Sequence, residues 1–210
     1  MSDESEGGGG FGPLLGGLLL LVVLLIVVFA VTARLGLNPF MRHVHGRTPA
    51  SEVKGNLKAA FTAERMYYVE KSALVSDATK IGFMPERGNR YAYFLAARGT
   101  VQRRESTELA FGRPLVIIDR DRLRYPDADP FRHFWQTGCP VTPCGNPPHV
   151  LTAPGVIAPN EAEPEGVFLF AGAGNLDRDE ALDCWSICSH PREKDGVPNP
   201  PGEGLHEQVD

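Results

Sequence analysis

At 210 residues the chain suits one membrane segment plus one modest domain, since single domains commonly hold about 100 to 200 residues. Its net charge of −5 comes from 21 basic and 26 acidic side chains of scattered sign. No basic stripe of the kind that follows a nucleic-acid backbone is present, so no nucleic-acid partner is expected.

Residues 1–13 form a lead that begins "MSDESE" and continues through four glycines, Gly7 to Gly10, which read as flexible. No charged side chain occurs from Gly7 to Ala33, and residues 14–34 supply about the 20 apolar residues needed to cross hydrocarbon. Buried core helices seldom run so long without a polar face. A secretory signal fits poorly, because the lead is acidic where a signal is basic and no clean small-x-small cleavage site follows. A single-pass transmembrane helix in lipid is therefore expected over 14–34. Residues 35–50 carry Gly36, Pro39 and Pro49, which interrupt or kink helices, and read as a hinge.

A domain over 51–190 follows. Ser51 can cap a helix in which Val53, Leu57, Ala60, Phe61, Tyr67 and Tyr68 share one broad face. From Arg90 the spacing changes to short β-prone runs, "RYAYFLAA", "PLVIID", "GVFLFAGA" and "DCWSICS", between segments rich in Pro, Gly, Asn and Asp. The helix is expected to lie on an antiparallel sheet, giving an α+β fold. The charge-dense stretch Asp119 to Asp129 reads as a solvated strand end and turn. Cys139 and Cys144, with Cys184 and Cys188, permit two disulfides or a four-thiolate zinc site, although spacers of four and three residues suit structural zinc poorly. Asp177, Asp179 and Asp183 either fix a turn into the last strand or bring carboxylates together on calcium. An EF-hand is excluded, because its sixth and twelfth positions would be Leu182 and Cys188. The tail, 191–210, has little to bury and is expected to be disordered. His43, His45, His133, His149, His190 and His206 accompany no recognisable nucleophile and base, and no phosphate-binding loop follows a strand, so no enzyme is expected.

Three stretches carry a family resemblance: "SEVKGNLKAAFTAERMYYVEK", "IGFMPERGNRYAYFL" and "FAGAGNLDRDEALDCWSI". They resemble the helix, the helix-to-sheet turn and the final strand of type IV pilins of myxobacteria and related bacteria. Pro39 also stands where the family has its kink proline. The resemblance covers roughly 39–95 and 166–189 and leaves 98–165 unmatched. It implies a transmembrane helix that continues, after the kink, into an amphipathic helix packed on a small antiparallel sheet. It makes "DCWSIC" the closing strand, in which Cys184 and Cys188 lie about 13 Å apart at roughly 3.3 Å per residue, beyond the reach of about 7 Å that a disulfide allows. Each is then implied to bridge to one of Cys139 and Cys144, and Trp185 to anchor the core. Some pilin-like proteins bind calcium near this strand, the basis for Asp177, Asp179 and Asp183 as ligands; no other cofactor is expected.

The implied function is that of a non-catalytic, membrane-anchored structural subunit or accessory of a type IV pilus or type II secretion-like system, packing its N-terminal helix with other pilin-like proteins. The alternative is a membrane-anchored extracytoplasmic binding module, with or without a metal, outside any filament. Arg34 at the end of the span, and Arg42, Arg47, Lys54 and Lys58 after it, favour a cytoplasmic domain by the positive-inside rule. The resemblance and paired cysteines favour an extracytoplasmic domain on the bacterial cytoplasmic membrane, and this orientation is adopted. The family's glutamate at the fifth mature position is missing after either possible cleavage glycine, Gly10 or Gly17, where Leu15 and Val22 stand. An uncleaved membrane-anchored monomer or accessory that stays out of the filament shaft is the corresponding expectation.

Overall fold

The computed structural model describes residues 21–24, 39–105, 113–127, 133–176 and 182–207. It divides into two compact units, Met1–Arg47 and Thr48–Asp210. Residues 21–24 of the expected span are helical, and the remainder of 14–34 lies outside the described residues. Among the described residues no helix is long and apolar enough to cross a membrane.

Helix α1 (Pro39–Lys71) begins inside the expected hinge, so 39–50 is helical rather than interrupted. Pro39 occupies the first helical position, where its missing N–H costs nothing, whereas Pro49 forgoes one backbone bond within the helix. The division between the two units still falls within 35–50. From Val53 onward α1 buries Val53, Leu57, Ala60 and Glu64, with Phe61, Tyr67 and Tyr68 half-buried beside them. It ends at Ser72, whose φ of 52° turns the chain and whose N–H donates to the Tyr68 carbonyl at 2.7 Å. A short helix α2 (Ala78–Ile81) follows, capped by the Asp77 carboxylate and closed by left-handed Gly82.

The strands are β1 (Ala92–Phe94), β2 (Val101–Gln102), β3 (Ile117–Ile118), β4 (Gly155–Ile157), β5 (Val167–Gly174), β6 (Asp183–Cys188), β7 (Arg192–Lys194), β8 (Val197–Asn199) and β9 (Leu205–His206). One sheet runs β2-β3-β1-β5-β6-β9, with β4 also paired to β5; β7 and β8 form a separate hairpin. Every pairing is antiparallel except β2 with β3, a departure from the wholly antiparallel sheet expected. β5 is buried along its whole length because both faces of the sheet are covered. On the helix side Phe168 and Phe170 join Tyr93, Trp185 and Ile187 beneath α1. Gly172 lies between Tyr93 and Trp185 in register, and a Cβ there would stand 2.6 Å from Val53 Cγ2. The missing side chain is what lets the helix approach the sheet.

The opposite face is covered by the stretch that carried no family resemblance. Phe134, in a single 3-10 turn (Phe134–Gln136), meets Phe94 edge-on with centroids 5.3 Å apart, and Ala92, Ala171, Ala173 and Ile117 complete that cluster. Below it, Cys144 and Cys188 pack with Val167 and Leu169.

The tail departs from expectation. Residues 192–207 form β7, β8 and β9, with β9 paired to β6. Composition misled because the tail is held by polar contacts. Arg192 and Glu207 are both buried and lie 3.6 Å apart, and Lys58 Nζ donates to the Gly202 carbonyl at 2.8 Å. Gly202 has a φ of 72° and sits so close to Phe61 that a Cβ would fall 2.7 Å from its ring.

Candidate functional site

For a chain with no catalytic constellation in its sequence, the functional parts are those that fix the domain's closing strand and those it presents outward. β6 does the first. Alternation along the strand sends Trp185 and Ile187 to the helix side and Cys184, Ser186 and Cys188 to the other. The sulfurs of Cys184 and Cys188 bond those of Cys139 and Cys144 respectively, with Cα separations of 5.8 and 5.9 Å. These bonds fasten the irregular 133–153 segment to the sheet.

Trp185 is 7% exposed. Its indole stacks on His206 at 4.5 Å between centroids, carries Lys54 Nζ 4.7 Å from its ring centroid, and donates its N–H to Asp183 Oδ1 at 2.8 Å. That same carboxylate oxygen meets His206 Nε2 at 2.7 Å, while Oδ2 accepts the Tyr91 hydroxyl. Asp183, read from the sequence as a turn-former or a calcium ligand, thus ties the entry to β1, β6 and β9 together. Asp177 and Asp179 lie outside the described residues. Among the described residues no group of three or more His, Cys, Asp or Glu is placed to hold a metal.

A second buried polar cluster corrects the reading of Asp119 to Asp129. Asp119, Arg120 and Asp121 are buried rather than solvated. Asp121 accepts the backbone N–H groups of Gly88 and Leu123 at 2.8 and 3.1 Å. Buried Arg104 donates to the carbonyls of Pro85 and Glu86 and to Asn89 Oδ1. These charges replace water for the backbone of the helix-to-sheet turn, a job invisible in a pattern of alternating sign.

An open cleft of about 400 Å³ lies between Ser51 to Asn56 of α1 and this turn. Its Glu52 carboxylate accepts the Arg90 N–H at 2.8 Å and the Tyr93 hydroxyl at 3.3 Å, and Asn56 donates to that hydroxyl at 2.7 Å. Burial pushes the Glu52 carboxyl up, and the Arg90 and Tyr93 bonds partly offset it. These groups hold the helix to β1 and offer no nucleophile.

Along the outward side of α1, Ser51, Gly55, Ala59, Thr62, Met66 and Val69 are exposed at spacings of three and four. They form an uncharged stripe on a helix whose other side is seated on the sheet.

The family model described as Type IV pilin PilA matches residues 44–183. The chain is also 33% identical over 165 residues to the type IV major pilin protein PilA of Myxococcus xanthus (strain DK1622), covering 76% of this chain and 73% of that one. This chain belongs to the type IV pilins. It is accordingly a structural, non-catalytic subunit of the pilus class, and the solitary binding module is not favoured. The sequence located the pilin's cysteines, its tryptophan and its helix face. It missed Glu64, Arg104, Arg192 and Glu207, because charged residues in polar surroundings look the same in sequence whether buried or solvated; only Glu64 left a trace, standing at helical spacing from Leu57 and Ala60.

Proposed function

We propose that this pilin is a structural subunit of a type IV pilus, anchored in the bacterial cytoplasmic membrane by residues 14–34 with its folded domain outside the cytoplasm. It packs with other pilin subunits through its N-terminal helix. The observation that carries the reading is α1 seated on a sheet whose closing strand is held by two disulfides, in a chain matched to the pilin family over 44–183. Disulfides persist in oxidising compartments, which supports the extracytoplasmic side against the basic residues that follow the apolar run.

A paired reporter fusion at the C-terminus tests the orientation: alkaline phosphatase should be active and a cytoplasm-dependent fluorescent protein dark. Sheared surface filaments should contain the chain. The Myxococcus relative is a major pilin, which supports abundance in the shaft. Leu15 and Val22, where a glutamate would stand after Gly10 or Gly17, favour the second reading, an accessory. Quantitative mass spectrometry of the sheared fraction separates the two by stoichiometry. Absence from filaments, with the phosphatase fusion inactive, would sink both.

A further inference from the structure

Glu64 is fully buried on α1 among apolar neighbours. Its Oε1 accepts the Val75 backbone N–H at 2.7 Å, and its Oε2 is buried with no hydrogen-bond partner. The bond joins α1 to the segment that leaves it. That segment starts at Ser72, in a left-handed conformation that residues other than glycine adopt at a cost, and Leu74 then packs against the Gly166 backbone. The far end is held separately, as Asp77 Oδ1 accepts from the Leu115 N–H at 3.0 Å.

The charged groups of the surrounding elements are directed elsewhere. On α1, Arg65 pairs with Glu165 at 2.8 Å and Lys71 is exposed. In the loop before β5, Glu163 meets His190 at 3.1 Å. Beyond the segment, Asp77 is bound by Thr79 and Leu115, and Lys80 is exposed. A carboxylate at Glu64 would therefore be an uncompensated buried charge with one oxygen unbonded, whereas a neutral carboxyl keeps the Val75 bond without that penalty.

We propose that Glu64 is a proton-controlled latch, which docks residues 72–76 against α1 while its carboxyl is protonated and frees them when the proton leaves. Burial raises its pKa from 4.5 to about 7, against a lowering by the Val75 N–H, so the switch operates near neutrality. In the open form the carboxyl is hydrated and titrates near its ordinary value. The ratio of open to docked forms then rises with pH from 4.5 to about 7, by up to roughly 300-fold for that shift.

The test is amide exchange of the full chain in detergent micelles, read at Val75 and corrected for intrinsic rates. In the wild type the Val75 protection factor should fall by up to roughly 300-fold between pH 4.5 and 8. In Glu64→Gln it should stay flat. A wild-type protection factor independent of pH, or an equal fall in both proteins, would overturn the latch. Carbon NMR of the wild-type Glu64 carboxyl gives a second reading that does not depend on the variant folding. A midpoint near 7 supports the proposal, and one near 4.5 overturns it.

Discussion

Trp185 shows what one side chain does in this domain, because its ring and its N–H are both engaged. Truncation to alanine removes the packing under α1, the His206 stack, the Lys54 contact and one bond to Asp183. The expected loss is about 3 to 5 kcal/mol, seen as a lower denaturant midpoint at unchanged slope. An unmoved midpoint would refute the anchor role. Gly172 works by what it lacks. Gly172→Ala places a methyl 2.6 Å from Val53 Cγ2 and should cost about 1 to 3 kcal/mol. Adding Val53→Ala should recover part of that loss, because the helix then has room; a double variant as unstable as the sum of the two singles would show that the contact is not the cause. Trp185 was legible through the family resemblance, which made "DCWSIC" the closing strand and so put its one large aromatic on the core. The need for glycine at 172 was not, because it depends on which helix side chain crosses above it.

At the scale of elements, the helix face and the four longest β-prone runs were legible from periodicity, while the tail was not. A hydrophobic pattern reports only apolar burial, and residues 192–207 are held by charge and hydrogen bonds. Arg192 donates to Ser186 Oγ at 2.7 Å and approaches Glu207, whose Oε1 accepts from Ser186 Oγ and the Thr142 N–H, both at 2.8 Å. Thr142 lies between Cys139 and Cys144, so the same cluster joins the tail to the disulfide-bonded segment. Arg192→Met should leave the buried Glu207 with only the more exposed Lys194, at 3.6 Å, as a cation and destabilise by up to about 3 to 5 kcal/mol, with earlier proteolytic cleavage after residue 190. Adding Glu207→Gln should restore much of the loss, since a neutral pair carries no buried charge. If the double variant is as labile as the single one, the packing of Arg192 rather than its charge holds the tail.

For the whole molecule, the buried carboxyls set the pH at which the fold is firmest. Burial pushes Asp77 up, but the Thr79 hydroxyl, the Leu115 and Thr79 N–H groups and Lys80 outweigh it and hold its pKa below 3.8. Its stabilisation is present above that value and lost as pH falls through the lowered one. Glu64 and Glu52 have the opposite sign, because burial raises both above 4.5. The folded chain then binds protons that the unfolded chain has released, so stability is fully present below 4.5 and declines as pH rises toward the folded values. For Glu64 the window runs from 4.5 to about 7, with an upper limit of about 3 kcal/mol. Taken by themselves, these groups favour mildly acidic pH over neutrality. Denaturant midpoints from pH 4 to 8 should fall across this window in the wild type and fall less in Glu64→Gln, with the remaining slope belonging to Glu52. A profile that rises toward neutrality in the wild type would mean that a charged partner reaches Glu64 in solution, and the sign argued here would be wrong.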